Sequence, residues 1–329
     1  MISRNKIIWG FVAIGFFGIL VFLISKYTHD TATQESPAQV LRDETVFWGE
    51  RIFELGPERA YAEFLNTAPT KDMSTHDQAH AFGEALYEKE GLEGLSFCDS
   101  SFEFGCYHSF FGVAVAKEGV GILSEFSGAC RARFGDYNLP CEHGIGHGVL
   151  VYTDYVLEEA LALCETVSVV PTGGCSSGVF MENNFHTMDE TVTEHFVRPL
   201  TDDVYAPCTV LPERFQPSCY LEQVQWWQNI YANDFAHIGT LCANIKGTTE
   251  AVDACFHGVG NYVAAHADLV VDAIVKVCAT MPTAEAQALC HEGASWLVRA
   301  DGSGIENAQK ICAALLGEFG TICLRKLSY

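Results

Sequence analysis

The chain has 329 residues, of which 49% are hydrophobic, and it carries a formal net charge of −23 at pH 7. This length is enough to bury a large core, and the composition is that of a folded protein. The excess of carboxylates argues against nucleic acid or an anionic lipid surface as the partner of the soluble part, because both would be repelled.

An uninterrupted apolar run lies near the start of the chain. Residues 7–24 are 18 positions without a charge, and at about 1.5 Å per residue they form about 27 Å of helix, just enough to span a bilayer core. The run predicts a single transmembrane anchor over residues 7–25. Basic residues favour its amino-terminal side, so residues 1–6 are expected in the cytoplasm and the bulk of the chain in the periplasm or outside the cell. A cleaved signal peptide is the alternative, although no small-residue cleavage site follows.

Two regions follow the predicted anchor. Residues 26–44 are polar and lack periodicity, which predicts a linker. Over residues 45–329 the apolar residues recur with helical spacing, and strand-like alternation is scarce. Hydroxyl residues followed by acids, as at Thr248 and Thr283, predict helix starts. We therefore predict an all-α domain over residues 45–329.

Fourteen cysteines form the most informative pattern in the sequence. None lies in a C-x-x-C motif, which argues against zinc ribbons, thioredoxin-like redox centres and c-type haem attachment. Their even number, the export signal and the near-regular pairing predict seven disulfides in an oxidising compartment. Closing a loop of about 10 residues stabilises a fold by roughly 2–3 kcal/mol in the loop-entropy model. The predicted bonds are Cys98 to Cys106, Cys130 to Cys141, Cys164 to Cys175, Cys208 to Cys219, Cys242 to Cys255, Cys278 to Cys290 and Cys312 to Cys323.

The second cysteine of each pair recurs at a nearly constant interval. Successive spacings from Cys106 to Cys323 are 35, 34, 44, 36, 35 and 33 residues. A period near 34 is typical of two short helices per repeat, so the sequence predicts an α-solenoid of helical hairpins, each stapled across its turn by one disulfide. The long interval carries about ten extra residues within 181–195, which predict either a loop on the binding side or a neutral surface insertion.

These cysteine pairs resemble those of the cysteine-rich Sel-like repeat proteins, a branch of the tetratricopeptide-type solenoids in which one disulfide ties each helical hairpin. The resemblance covers residues 76–329, and the pair Cys98 and Cys106 has the spacing of that family. It implies a helical repeat fold, export and partner binding. A second resemblance, to α/α toroids of the lanthionine cyclase type, is carried by the similar turns HGIG at residues 143–146 and HGVG at residues 257–260.

The stretch CEHGIGHG at residues 141–148 is the clearest copy of the repeat motif. On a helix its cysteine and the first and last of its three glycines form a narrow stripe where another helix could pack closely. His143 and His147 lie one turn apart on another face, a spacing that lets two imidazoles reach one metal ion. We expect a neighbouring repeat to supply a third ligand, His108 or Glu182. Imidazole and carboxylate ligands suit zinc, copper or iron.

Two positions in each repeat, two and six residues after the second cysteine, hold many polar side chains. If they line the concave side of a superhelix, these side chains converge on one binding face. The alternative is that each histidine bonds a neighbouring helix end and no ligand is involved. Besides the predicted metal ligands, the residues assigned to this face are His76, His80, His257, Asn261 and Glu292.

Two functions remain open from the sequence. The first is a membrane-anchored extracytoplasmic repeat protein that binds a protein, a peptide or a metal. The second is a metal-dependent enzyme of α/α-toroid type with its site on the helix of His143 and His147, although that spacing lacks the glutamate of the metalloprotease signature. No phosphate-binding Gly-rich loop or Gly-x-Ser-x-Gly elbow is visible. The pairs Phe110-Phe111 and Trp226-Trp227 are predicted to lie in the core between repeats rather than on a recognition surface.

Overall fold

The computed structural model describes nine stretches of this chain. They are residues 37–67, 73–99, 101–102, 104–135, 138–168, 170, 172–188, 196–300 and 304–327. The predicted cytoplasmic segment, the predicted anchor and most of the predicted linker lie outside the described residues. Within them, no helix combines the length and the apolar character needed to cross a bilayer. The described residues from Leu41 onward belong to one compact unit.

The all-α prediction is confirmed for the described part of the chain, which contains fifteen α-helices, short 3-10 turns and no strand. The first eight helices are α1 (Pro37–Leu55), α2 (Pro57–Thr67), α3 (Met73–Glu90), α4 (Gly105–Glu118), α5 (Leu123–Phe134), α6 (Leu139–Tyr152), α7 (Leu157–Cys164) and α8 (Cys175–Phe185). The remaining seven are α9 (Gln216–Ile230), α10 (Phe235–Ala243), α11 (Thr249–His266), α12 (Val271–Cys278), α13 (Ala284–Ala300), α14 (Ile305–Ala313) and α15 (Glu318–Lys326).

The first helix begins earlier than the sequence indicated. α1 starts at Pro37, inside the predicted linker of residues 26–44. Proline is well suited to the first turn of a helix, because its missing N–H would have no intrahelical partner there. Leu41 packs against the hydrophobic core. Burial of this one apolar side chain is a tertiary effect that the polar composition of the segment does not reveal.

Threonine side chains start two of the later helices, as predicted. The Thr248 hydroxyl accepts a hydrogen bond from the backbone N–H of Ala251 at 3.2 Å. The Thr283 hydroxyl accepts one from the backbone N–H of Ala286 at 3.1 Å. Each bond satisfies one of the N–H groups that a helix leaves without an intrahelical partner, which fixes where α11 and α13 begin.

All seven predicted disulfides are confirmed, and no cysteine is left free. The Cα atoms of the paired cysteines lie 5.3–5.7 Å apart. In five of the pairs the bond joins two consecutive helices: α5 to α6, α7 to α8, α10 to α11, α12 to α13 and α14 to α15. These disulfides therefore fix the turns between helices.

The longer helices pack against one another in chain order. α3 contacts α4, α4 contacts α6, α6 contacts α8, α8 contacts α9, α9 contacts α11, and α11 contacts α13. The stripe predicted on α6 is one of these contacts: a Cβ at Gly144 would lie 2.7 Å from the carbonyl oxygen of Tyr107, and one at Gly148 would lie 2.9 Å from that of Phe111. Since the second contact is one turn further along both helices, α4 and α6 run parallel.

At several helix crossings only glycine fits, and two of these crossings are closely alike. A Cβ at Gly146 of α6 would lie 2.0 Å from the carbonyl oxygen of Cys175, and one at Gly178 of α8 would lie 1.9 Å from that of His143. Gly260 of α11 and Gly293 of α13 make the corresponding approaches, each 2.0 Å from a carbonyl oxygen of the partner helix. These crossings place the residues around His143 and His257 directly against the next helix.

The two aromatic pairs lie in the core, as predicted. Trp226, Trp227, Phe110 and Phe111 are each 0% exposed. The two indole N–H groups donate to backbone carbonyl oxygens, that of Trp226 to Arg198 at 2.6 Å and that of Trp227 to Val204 at 3.0 Å. A buried indole needs such a partner, so these side chains stabilise the packing and do not form an exposed recognition surface.

Candidate metal centre

Five histidine rings meet between three neighbouring helices. α3 contributes His76 and His80, α4 contributes His108, and α6 contributes His143 and His147. The ring centroids of neighbours in this cluster lie 4.6–5.4 Å apart. The sequence analysis assigned all five residues to one face, and the structure brings them together. We call them the histidine cluster.

Within the histidine cluster, two groups of three have their ring nitrogens within metal-binding reach. One group is His76, His80 and His108, and the other is His108, His143 and His147. In each group, one nitrogen per residue lies within 4.8 Å of the others. Ligands of a tetrahedral zinc ion, with metal to nitrogen bonds of about 2.0–2.1 Å, lie about 3.3–3.4 Å apart. Each group would bind one ion with its ring nitrogens drawn to that separation.

Glu182 of α8 holds one side of this cluster. Its carboxylate is fully buried and accepts a hydrogen bond from His147 Nδ1 at 2.9 Å. It also accepts bonds from the Tyr155 hydroxyl at 2.8 Å, the Thr187 hydroxyl at 2.5 Å, the Thr187 N–H at 3.1 Å and the Met188 N–H at 3.0 Å. Both oxygens of Glu182, which the sequence suggested as a metal ligand, are thus engaged in hydrogen bonds.

The charge of Glu182 is preserved despite its burial. Burial by itself would raise the pKa of this carboxyl, but the hydrogen bond and charge of His147 outweigh it, with help from Thr187 and Met188. The pKa consequently lies below its ordinary value. A carboxylate of this kind behind a histidine orients the ring and increases its basicity toward a metal.

The two ring nitrogens of His147 test whether a metal fits this site. A carboxylate can only accept, so Nδ1 of His147 carries the proton that it shares with Glu182. Its other nitrogen, Nε2, is buried and has no hydrogen-bond partner. A buried polar atom left without a partner costs about 1–3 kcal/mol. A metal ion bound at Nε2 would remove that cost, so the residues present fit a metal.

The ring of His76 is oriented in a similar way. Its Nδ1 donates to the backbone carbonyl oxygen of Phe102 at 2.7 Å, which leaves Nε2 available. His80 Nε2 and His108 Nδ1 lie 3.3 Å apart. The alternative interpretation of the sequence, in which no ligand is involved, expected each histidine to bond a neighbouring helix end. His76 does bond a backbone carbonyl oxygen, whereas His147 bonds a carboxylate.

Three members of the cluster are neutral at pH 7. Burial lowers the pKa of His80, His108 and His143 well below the ordinary 6.5, and the charges of neighbouring histidines lower it further. Neutral imidazole keeps the lone pair that a metal needs. His76 and His143 are only half-buried, whereas His80, His108 and His147 are at most 4% exposed. An ion could therefore approach from the side of the two half-buried rings.

The other residues assigned to the binding face do not join this cluster. His257, Asn261 and Glu292 belong to neither histidine triad of the described residues. Glu292 forms an ion pair with Lys326 at 2.6 Å. Burial, together with the charge of Lys326, lowers the pKa of His257 to about 4. Of the residues predicted to line a concave face, the histidines of α3, α4 and α6 form the histidine cluster, and these three residues belong to neither of its triads.

Two residues of the site escaped the sequence analysis. Tyr155 follows α6 and had no distinguishing signal, because its role depends on where α8 places Glu182. Thr187 lies in the extra segment within residues 181–195, which the long cysteine interval had marked. In the structure α8 extends to Phe185, and the turn after it returns to Glu182. The described part of this insertion therefore lies at the candidate site, while residues 189–195 are outside the described residues.

Fold and site together define an all-α, disulfide-bonded protein with a buried cluster of histidines. Comparisons with protein-family models, with curated proteins and with solved structures find no match for the chain.

Proposed function

We propose that this protein binds a transition-metal ion through His108, His143 and His147. The observation that carries the proposal is the buried Nε2 of His147, which has no partner while Nδ1 of the same ring is held by Glu182. His108 and His143 each place a ring nitrogen within 4.8 Å of a ring nitrogen of His147. Three imidazoles grouped within this distance, with a carboxylate behind one of them, resemble the ligands of a histidine metal site.

The chemistry of the ligands selects a class of metal. Neutral imidazoles favour zinc, copper or iron over magnesium or calcium, which prefer oxygen ligands. The neighbouring Glu182 carries a negative charge that would partly offset the charge of the ion. Three protein ligands leave a fourth position open in a tetrahedral site. That position could receive solvent or a group from a partner.

The second part of the proposal concerns the fold that carries this site and its location in the cell. We infer an extracytoplasmic repeat protein, an α-solenoid with a period near 34 residues, attached to the membrane by the apolar run at residues 7–25. The seven disulfides support an oxidising compartment. The serial packing of the longer helices supports a repeat arrangement of the Sel-like type. A protein or peptide partner would bind along the same row of helices.

Metal content tests the proposal directly. The full chain would be purified in detergent from an oxidising compartment, dialysed against zinc or copper, and its bound metal measured by elemental analysis. We expect at least one tightly bound ion per chain, lost in the double variant His143→Ala with His147→Ala. The matched control is His237→Ala with His266→Ala, since both of those histidines are exposed. Equal metal content in the two double variants would refute the proposal.

A further inference from the structure

The two histidine triads share one member, His108 of α4. We propose that the histidine cluster binds two metal ions side by side, with the imidazole of His108 bridging them. One ion would take His76, His80 and His108, and the other His108, His143 and His147. This inference rests on the proposed function, because it assumes that the second of these groups binds a metal.

The first argument is the distance on the α3 side of His108. His80 Nε2 lies 3.3 Å from His108 Nδ1. Two ligands of one tetrahedral ion with bonds of about 2.0–2.1 Å are separated by about 3.3–3.4 Å. These two nitrogens therefore already have the separation of a pair of ligands. His76 completes the group through Nε2, because its Nδ1 donates to the carbonyl oxygen of Phe102.

The second argument concerns the other nitrogen of His108. With Nδ1 facing His80, Nε2 is the atom left for the triad on the α6 side. The ring of His108 stacks on that of His147 with centroids 4.6 Å apart, and its centroid lies 5.4 Å from that of His143. Nε2 of His147 is buried and has no hydrogen-bond partner. One ring thus lies between two groups, each of which offers two further imidazoles.

The two proposed metal positions differ in the groups that hold their histidines. On the α6 side a carboxylate holds His147, while on the α3 side a backbone carbonyl holds His76. The carboxylate makes its histidine the more basic ligand, so the first ion is expected at His143 and His147. A ring that binds an ion through each nitrogen carries no N–H, so arrival of the second ion releases one proton to solvent.

The experiment is a titration of the full chain, stripped of metal by a chelator, with copper(II) alone. Bound copper is counted by elemental analysis after equilibrium dialysis, and the electron paramagnetic resonance intensity is recorded at each step. Two copper ions on one imidazole couple magnetically, so we expect the signal to grow with the first ion and fall as the second binds. Saturation is expected at two ions per chain.

Variants assign each position. His76→Ala with His80→Ala should leave one ion with a full, uncoupled signal, and His143→Ala with His147→Ala should remove the tighter ion. The exposed pair His237→Ala with His266→Ala should still bind two coupled ions. Saturation at one ion, insensitive to His76 and His80, would overturn the bridge and leave the proposed function standing. Two ions with undiminished signal would also overturn it, and no bound copper at all would refute the proposed function itself.

Discussion

Two helix pairs of this protein are packed alike but present different side chains. α6 and α8 cross at Gly146 and Gly178, and α11 and α13 cross at Gly260 and Gly293, with nearly the same distances to the partner backbone. Three residues before its crossing glycine, each first helix carries a histidine, His143 or His257. The backbone framework of the two pairs is therefore equivalent at these positions.

The difference begins one residue after each crossing glycine. There α6 has His147 where α11 has Asn261, and four residues beyond its own glycine α8 has Glu182 where α13 has Leu297. His147 meets Glu182 at 2.9 Å, whereas Asn261 Oδ1 is buried without a partner. Helix packing and the placement of these polar side chains therefore depend on separate residues. Cysteine and glycine fix the framework, and a few polar residues decide which crossing pairs a histidine with a carboxylate.

The largest effect is expected from substituting the crossing glycines that the two helix pairs share. Gly146→Ala and Gly260→Ala would each place a Cβ 2.0 Å from a backbone carbonyl oxygen of the partner helix. Since that backbone is itself helical and cannot move aside, we expect each variant to lose about 3 kcal/mol of unfolding free energy. Urea denaturation followed by circular dichroism measures this loss. The control is Gly128→Ala in α5, where nothing lies within 4 Å and alanine should stabilise by up to about 1 kcal/mol. Tolerance of alanine at only one crossing would contradict the equivalence of the pairs, and tolerance at both would contradict the close backbone approach.

The next prediction distinguishes an effect on stability from an effect on zinc binding. Replacing Cys130 and Cys141 together by alanine, or Cys278 and Cys290 together, opens loops with sequence separations of 11 and 12 residues. Each double variant should lose roughly 3 kcal/mol in the loop-entropy model. Because only Cys141 lies two residues from His143, we expect only the first variant to bind zinc more weakly as well. Equal zinc affinity in both, measured by competition with a chelator, would argue against this view of the site.

A smaller effect tests the carboxylate that distinguishes the α6 and α8 pair. Glu182→Gln removes the charge behind His147, and we expect zinc affinity to fall about 10–100-fold. The matched control is Glu222→Gln. Glu222 is also fully buried, but burial raises its pKa to about 8 despite its bond from Tyr262, so it is largely uncharged at pH 7. That variant should bind zinc as the unmodified protein does; a similar loss in both would mean that Glu182 acts only through folding.

The smallest effect is the acid sensitivity that both regions share. The pKa of His257 is about 4 in the folded chain and about 6.5 when unfolded. Below pH 6.5 the unfolded chain therefore binds a proton that the folded chain does not, and stability decreases as pH falls toward 4. At pH 5 this histidine accounts for about 2 kcal/mol. His257→Gln should reduce the loss between pH 7 and pH 5 by about that amount in metal-free protein. An unchanged slope would contradict the folded-state pKa.

The sequence by itself determined the helical class, all seven disulfides and the helix starts at Thr248 and Thr283. These features depend on local periodicity, on capping chemistry and on the regular spacing of the cysteines, which can be read along the chain. The pairing of His143 with His147 is of the same kind, because residues four apart on a helix share a face. The same reasoning assigned His76, His80 and His108 to that face.

Tertiary structure decided which of those residues meet. Whether His257 joins the cluster depends on how successive helices are rotated and offset, and small changes in crossing geometry accumulate over many residues. The role of Glu182 was decided in the same way, since its carboxylate is engaged by Tyr155 and Thr187 from separate segments. Leu41 of α1 lies inside the segment predicted as a linker and packs against the core. Contacts between distant segments have no periodic signature in one sequence, and so only the folded chain fixes them.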